Sequence, residues 1–430
     1  MVKKIIHILS FSPTHDKWIE RFENKKVNTD YYRNNMGEVD YLDVDEKIER
    51  VFFYHREFHS ILAMETLKHT DEFEIEFWRP YFGINKIYEK KVEGVIHKIF
   101  PAKRIKPLKG VPSYVISESM RSELKKEIEN KNVLLSLGWP AKTTNELLMA
   151  IKPTNVPVLV NHRSGKLLHF HYPNSLKRFN PVVQYEKWRQ KNCCNRYIDL
   201  FQCTIHSMRK YIKQRKLAET INLFDGIDFD KFQPAINKDI IKEELGIPLD
   251  KKILLYVGRF YKDKDADILI KFFINYKKQR DDIELYMVGG YITDEFYQMG
   301  LAAGAKMIER IPEKKLIKYH QIADLYIILV RKHLADFGGI GSAIIQSFAC
   351  NVPVIGDNLI HFEGGVDEIK KVGRLLINNK ELTNNINYIL DHPQDFKDCR
   401  EIARKYYDVN RCTQKLIIIY KELIKLYYEE

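Results

Sequence analysis

Short apolar runs alternate with helical patterns over the second half of the chain. Consecutive apolar residues bounded by polar ones predict buried strands, and apolar residues spaced three and four apart predict helices with one buried face. The predicted strands are Ile253–Val257, Ile283–Val288, Leu325–Val330 and Val352–Ile355, and the predicted helices are Ala266–Lys278, Glu313–Ala323 and Ser342–Cys350. This alternation predicts an α/β fold with a parallel sheet covered on both faces. Ligands of such sheets bind beyond the carboxyl ends of the strands, so the loops after Val257, Val288 and Val330 are expected to gather at the site.

The first half of the chain is less regular. Lys4–Leu9, Asn132–Leu137 and Val156–Val160 predict strands, whereas residues 14–50 and 85–112 are charged and aromatic and predict no definite element. The first residues carry no cleavage-site run of small side chains, so they are interpreted as a buried strand rather than a signal peptide.

The chain length of 430 residues is too great for one compact core and predicts two domains. They are placed at residues 1–235 and 236–408, followed by a helix over 409–430 that packs back toward the first domain. With 45% apolar and 30% charged residues the chain is typical of a soluble globular protein. Its longest apolar runs are far shorter than a membrane span.

Six cysteines in a chain of this size indicate a reducing compartment without a disulfide framework, and therefore the cytoplasm. Cys193, Cys194, Cys203 and His206 lie close together in sequence. Their spacing fits no usual zinc pattern, so buried thiols are the favoured interpretation. Asp-x-Asp triplets also occur, and none directly follows an apolar strand. We therefore expect no catalytic metal.

The net charge of +12 is concentrated in two stretches. Residues 151–220 contain 14 Lys and Arg against three acidic residues, and residues 97–110 contain five more basic side chains. Such concentration attracts anionic partners: a lipid surface, a phosphorylated acceptor or a nucleic acid. The alternative is the solvated surface of a basic protein. No zinc-finger, RNA-recognition or basic-zipper pattern accompanies the charge, so no nucleic acid is expected.

Two motifs point to a ligand with phosphate or hydroxyl groups. Gly338, Gly339 and Gly341 precede the predicted helix at Ser342, and glycines at a helix start expose backbone N–H groups at the positive end of the helix dipole. Arg259 and Lys264 follow a predicted strand end, where the planar donors of arginine and the point charge of lysine can converge on a diphosphate.

Together these stretches resemble the GT4 family of retaining glycosyltransferases, which have the GT-B fold. The family pattern is Glu, glycine three residues on and a second Glu eight residues after the first; here the glycine is Gly341 and the two acidic positions hold Gly338 and Gln346. Gly226-Ile227-Asp228 and Gly364-Gly365 are similar to further family segments and stand in the expected order. The resemblance covers roughly residues 130–425.

The resemblance implies two Rossmann-like, doubly wound domains that face an interdomain cleft, with the C-terminal helix crossing back to the first domain. The first domain would bind the acceptor and the second a UDP- or GDP-linked sugar. The candidate catalytic residues are His162, Arg259 and Lys264, with His169 and His171 as rivals for the histidine. The candidate donor-binding residues are Gly258, Ile311, Gly338, Gly339, Ile340, Gly341 and Gln346, and Asp336 is a candidate substitute for the missing acid.

The implied activity is the transfer of a hexose from a nucleoside-diphosphate sugar to a lipid-linked or polysaccharide acceptor with retention of configuration, without a cofactor or metal. The two absent acids leave open a catalytically silent subunit that binds a nucleotide sugar, a glycan or a partner enzyme. An inverting transferase or an epimerase on the same sheet architecture is a third alternative. The basic stretches 97–110 and 151–220 predict an anionic acceptor and peripheral association with the inner face of the membrane.

Overall fold

The fold is described from a computed structural model, which covers residues 3–8, 61–81, 84–105, 114–138, 141–162, 181–203, 209, 213, 219–258, 260, 266–290, 295–309, 311–330 and 339–428. Among these, the residues up to Asp225 and those from Cys412 onward form one compact unit, unit 1. Gly226–Arg411 form the other, unit 2. The sequence prediction places its boundaries at 235/236 and 408/409.

Ten strands are described in unit 1. They are β1 (Lys3–Ile8), β2 (Phe73–Tyr81), β3 (Tyr88–Val92), β4 (Val95–Pro101), β5 (Lys103–Ile105), β6 (Tyr114–Ile116), β7 (Val133–Gly138), β8 (Val158–His162), β9 (Leu200–Cys203) and β10 (Glu219–Ile221). Eight form one sheet in the order β10-β9-β8-β7-β1-β2-β4-β3, parallel except for the β3–β4 pair. β5 and β6 form a separate antiparallel pair.

Four α-helices are described in the part of unit 1 that precedes Asp225. They are α1 (Ile61–His69), α2 (Glu118–Glu129), α3 (Ala141–Ile151) and α4 (Pro181–Arg189). Ser117 caps α2, because its hydroxyl accepts a hydrogen bond from the Met120 N–H group at 3.3 Å. A π-helical turn over Gln190–Cys194 continues α4.

Strand β2 contains a buried carboxylate. Glu76 is 2% exposed and lies 3.1 Å from the Lys4 ammonium and 3.4 Å from the Lys98 ammonium. The indole N–H group of Trp78 also donates to it. A buried charge is tolerated only when it is paired and hydrogen-bonded, and here β1 and β4 supply the partners. Lys98 therefore faces the interior and is not part of an exposed basic cluster, whereas Lys103 is exposed.

Unit 2 is built on one parallel sheet. Its strands are β11 (Lys252–Val257), β12 (Ile283–Gly290), β13 (Lys306–Glu309), β14 (Leu325–Ile328), β15 (Val354–Gly356) and β16 (Gly373–Leu375). They pair in the order β13-β12-β11-β14-β15-β16, with every pair parallel. This is the doubly wound order in which the chain leaves the sheet centre in both directions. The predicted parallel sheet is confirmed.

Helices pack on both faces of this sheet, as expected for alternating strands and helices. They are α5 (Lys238–Glu244), α6 (Ala266–Tyr276), α7 (Glu295–Ala302), α8 (Glu313–Ile322), α9 (Ser342–Ala349), α10 (Gly365–Val372), α11 (Leu382–Asp391) and α12 (Cys399–Tyr407). On α6 the predicted apolar face is buried: Leu269, Ile270, Phe273 and Tyr276 are each at most 1% exposed.

A long helix, α13 (Val409–Tyr428), returns the chain to unit 1, as predicted. The Tyr420 hydroxyl lies 3.0 Å from Nε2 of the buried His7 on β1. The Tyr428 hydroxyl donates to the Val133 carbonyl at 2.8 Å, and burial raises the pKa of Tyr428 to about 12. The core of unit 1 therefore includes both early and late parts of the sequence.

Helices α8 and α9 meet at a buried histidine. Nδ1 of His320 lies 3.0 Å from the Ser347 hydroxyl, and that hydroxyl donates its own proton to the Ala343 carbonyl. Nδ1 must therefore carry the proton of a neutral imidazole. Burial lowers the pKa of His320 to about 3, and the ring stacks on Tyr326.

Acid should destabilise the protein through His320. The folded-state pKa is below the unfolded value of about 6.5, so only the unfolded chain takes up this proton between about pH 6.5 and 3, and unfolding becomes easier as the pH falls. Between pH 7 and pH 4.5 this group should contribute a loss of about 2–3 kcal/mol. Urea unfolding at both pH values measures it. His320→Gln should remove most of that pH-dependent loss, and the same change at the exposed His392 should not.

Candidate functional site

The strand order of unit 2 reverses between β11 and β14. These strands are neighbours, Leu254 opposite Leu325, and the chain leaves them toward opposite edges of the sheet. At such a reversal the loops beyond the carboxyl ends separate and leave a crevice, which is where open α/β sheets bind ligands. Gly258 directly follows β11, and Gly339–Gly341 lead from the loop after β14 into α9.

At the end of β11 two backbone segments approach closely. The Gly258 N–H group donates to the Val288 carbonyl at 2.9 Å. Gly289 forms a bulge in β12 and has a φ of +115°, and a Cβ atom at that position would lie 2.9 Å from the Gly258 carbonyl oxygen. Glycine is therefore required at position 289 by conformation and by space.

The loop that carries the predicted cationic pair is anchored by an aromatic side chain. Phe260 is 2% exposed and packs between Tyr256 and Tyr297 at ring-centroid distances of 6.0 and 6.2 Å. Arg259 and Lys264 themselves lie outside the described residues.

Helix α9 begins without a side-chain cap. Its N-cap residue is Gly341, whose carbonyl accepts the Ile344 N–H group at 3.1 Å. A Cβ atom at Gly341 would meet no atom of the described chain within 4 Å, and its φ of −73° is open to any residue. Neither the conformation nor the packing of the described residues calls for glycine here. The positive end of the helix dipole and the first N–H groups of α9 lie at this position.

Two polar side chains after β15 hold the segment that leads into α9. Asp357 accepts the Val330 N–H group at 3.2 Å, and the Asn358 side-chain amide donates to the Gly339 carbonyl at 2.7 Å. Asn358 is 1% exposed, and its side-chain oxygen has no hydrogen-bond partner in the part of the chain that the structure describes. The sequence offered no signal for either residue.

The other predicted donor residues are spread around the same edge of the sheet. Gln346 is half-buried on α9, one turn beyond its first residues, and Ile340 is 8% exposed. Ile311 is half-buried between β13 and Pro312, the N-cap of α8. Gly338 and Asp336 lie outside the described residues.

The candidate catalytic histidine belongs to unit 1. His162 is the last residue of β8, and its backbone is in register with Cys203 on β9. The sequence prediction instead places this histidine just after a strand. β8 begins at Val158, two residues later than predicted, so Val156 and Pro157 are not part of the strand. The side chain of His162, and all of His169 and His171, lie outside the described residues.

The cysteines of unit 1 do not form a cluster with metal-ligand character among the described residues. Cys194 and Cys203 are fully buried, and burial raises the pKa of Cys203 to about 12. No group of three His, Cys, Asp or Glu side chains within the described ranges is placed to hold a metal ion. No described helix has both the length and the apolar content needed to cross a membrane.

Residues 237–406 match the family described as glycosyl transferases group 1. Among curated relatives, a D-inositol 3-phosphate glycosyltransferase of Streptosporangium roseum is 27% identical over 32% of this chain and 33% of its own. A GDP-mannose-dependent alpha-(1-6)-phosphatidylinositol monomannoside mannosyltransferase of Mycolicibacterium smegmatis is 28% identical over 30% and 36%. The chain thus spans about a third of the length of the curated relatives it matches.

Solved structures resemble the whole chain. A glycosyltransferase of Rickettsia africae has a TM-score of 0.65 at 15% identity, with 99% of each chain covered. The HepE protein of Anabaena in complex with UDP has a TM-score of 0.61 at 14% identity, covering 97% of this chain and 100% of its own. At these identities the likeness shows the fold alone. The predicted pair of Rossmann-like domains of the GT-B class is confirmed.

Gly289→Ala should destabilise the protein more than the same change at Gly246. Both glycines have a positive φ, but a Cβ atom meets the Gly258 carbonyl at position 289 and nothing within 4 Å at position 246. We expect a loss of about 1–2 kcal/mol at Gly246 from conformation and about 1–3 kcal/mol more at Gly289. Urea unfolding measures both, and equal losses would show that the close approach is unimportant.

Proposed function

We propose that the protein is a glycosyltransferase, because residues 237–406 match the glycosyl transferases group 1 family. It transfers a hexose from a UDP- or GDP-linked sugar to an anionic or lipid-linked acceptor, with retention of configuration. Unit 2 binds the donor and unit 1 the acceptor. The reaction needs no resident cofactor or metal.

One observation carries this proposal: among the described residues, glycine backbone borders the strand reversal at β11 and β14. Gly258 and Gly289 border one side, and the uncapped start of α9 at Gly341 borders the other. Backbone N–H groups and a helix N-terminus suit the phosphates and hydroxyls of a nucleotide sugar. Glycine at Gly341, where the fold does not call for it, supports close approach of a ligand.

Names of similar proteins support the two substrate classes. The Mycolicibacterium relative depends on GDP-mannose and acts on a phosphatidylinositol monomannoside, and the Streptosporangium relative acts on D-inositol 3-phosphate. The Anabaena structure contains UDP. These names agree with a nucleoside-diphosphate donor and with a phosphorylated acceptor, which the basic charge of residues 151–220 also favours.

Charge stabilisation supplies the main catalytic effect in this proposal. The bond between the anomeric carbon and the diphosphate oxygen breaks, and the acceptor hydroxyl forms the new bond on the same face while its proton passes to the departing diphosphate. Arg259 and Lys264 stabilise that diphosphate. His162 orients the sugar, and Gln346 offers the ribose a carbonyl acceptor. Asp336 takes the place of the acid absent at Gly338.

A silent donor-binding subunit is the second candidate. It is favoured by Gln346, which is half-buried where the family pattern has a charged acceptor, and by Gly338, which offers only backbone. Such a protein would keep the phosphate-binding edge of unit 2 and lose turnover.

We also propose that the enzyme works at the cytoplasmic face of the membrane, to which residues 97–110 and 151–220 draw it by charge.

Arg259→Ala and Lys264→Ala should each lower kcat about 10²–10³-fold, because each removes a charge from the departing diphosphate. The measurement is UDP or GDP release with a panel of nucleotide hexoses and phosphoinositide or lipid extracts as acceptors. Lys271→Ala is the matched control, since Lys271 is 67% exposed on α6 beside Asp267. Unchanged turnover in the first two variants would show that the phosphate site is wrongly assigned. Thermal stabilisation by a nucleotide sugar without turnover in the unaltered chain would favour the silent subunit.

Gly341→Ser should separate stability from donor binding. A serine hydroxyl can cap α9, and the φ and open space at Gly341 admit it, so the unfolding free energy should stay the same or rise by a few tenths of a kcal/mol. The same hydroxyl occupies the N–H groups that the donor phosphates need, so the Kd for UDP or GDP should rise about tenfold. Calorimetric titration and urea unfolding measure the two effects. Unweakened nucleotide binding would place the donor elsewhere.

A further inference from the structure

Helix α4 presents one exposed face, which we call the α4 outer face. Its members recur at intervals of three and four residues along α4 and the turn that follows, as one side of a helix requires. They are Pro181, Gln184, Tyr185, Trp188, Lys191 and Asn192, and all are exposed.

Two large aromatic side chains dominate this face. Tyr185 is 58% exposed and Trp188 is 57% exposed, and their rings stack at a centroid distance of 6.0 Å with an interplanar angle of 24°. Aromatic rings of this size are usually buried in monomeric proteins. Two neighbouring exposed rings therefore indicate a surface that contacts a binding partner.

Arg189, four residues after Tyr185 on α4, fixes this helix to α3. Arg189 donates two hydrogen bonds to Glu146 at 2.5 and 2.9 Å, and Lys142 lies 2.8 Å from the same carboxylate. Burial alone would raise the pKa of Glu146, but the hydrogen bonds from Arg189 and Lys142 outweigh it and lower the pKa, so the group stays charged. An ion-pair network between α4 and α3 therefore holds the α4 outer face in place.

Basic side chains are exposed on this face and in the turn after it. Glu146 is neutralised by Arg189 and Lys142, and Asp199 accepts hydrogen bonds from the Val158 N–H group and the Tyr427 hydroxyl. Lys191 and Arg196 are exposed nearby, although Arg196 also contacts Tyr197. Glu146 and Asp199 are thus engaged inside unit 1, while Lys191 and Arg196 are exposed.

We propose that the α4 outer face docks on an anionic lipid bilayer. Tyrosine and tryptophan settle at the headgroup level of membranes, where an apolar ring and a polar edge are both satisfied, and adjacent lysines add attraction to anionic headgroups. The combination of stacked aromatic rings and positive charge fits this partner. The inference rests on the proposed function only for its purpose, which is to bring unit 1 to a lipid-linked acceptor.

Sedimentation with unilamellar vesicles tests the docking surface in the full chain. The protein should sediment with vesicles of equal parts phosphatidylglycerol and phosphatidylcholine and remain in solution with phosphatidylcholine alone. The double variant Tyr185→Ser, Trp188→Ser should lower the partition coefficient about tenfold or more. Lys191→Gln should lower it about fivefold at low salt and less at high salt.

The matched control is Ile240→Ser, since Ile240 is 56% exposed on α5 in unit 2. Trp188→Phe should keep most of the binding, and loss of the vesicle-induced shift in tryptophan emission in this variant should place Trp188 at the lipid surface. Unchanged binding in the double variant, or an equal loss in Ile240→Ser, would overturn the inference. Vesicle binding is measured without a donor, so failure of the proposed transfer would not alter it. A chain that transfers sugar but binds no vesicles would contradict the docking surface alone.

Discussion

The pairing of β11 with β14 is the constraint on which the candidate site depends. At the amino end of the two strands, the carboxylate of Asp324 accepts a hydrogen bond from the Ile253 N–H group at 2.8 Å. Near the carboxyl end the Tyr326 hydroxyl donates to the Val257 carbonyl at 3.0 Å. With both ends of the pair held, Gly258 and the start of α9 lie at the same edge of the sheet, so backbone from two distant sequence segments comes to the place proposed for the donor.

Charged side chains and backbone groups have different roles in the two units. Around Glu76 and Glu146 in unit 1, paired lysine and arginine side chains neutralise buried or half-buried carboxylates, so the total of basic residues overstates the charge that reaches solvent. In unit 2 the described edge of the sheet offers backbone groups, and polar side chains such as Asn358 act behind it by holding the main chain. In the proposed site such fixed N–H groups act beside the cationic side chains of Arg259 and Lys264.

Sequence reasoning recovered four of the six strands of unit 2, β11, β12, β14 and β15, because they contain apolar runs, and β11 was predicted to within one residue. It missed β13 and β16, which are short and contain charged residues. It missed β2, where Glu74, Glu76 and Arg79 break the apolar pattern, because the partners of Glu76 come from other strands. At the site, Gly258 and Gly341 were found from motif spacing. Asn358 could not be found, because its role depends on lying opposite Gly339 in space. The roles of Arg259, Lys264 and His162 stay predictions.

The return of α13 to unit 1 has a consequence for synthesis on the ribosome. His7 on β1 meets Tyr420 of α13, so these partners are separated by the whole of unit 2 in the order of translation. Unit 2 is contiguous over Gly226–Arg411 and can fold as it emerges, whereas part of the unit 1 sheet must wait uncovered until α13 has been made. During that interval the surface of unit 1 that α13 later covers stays exposed to solvent.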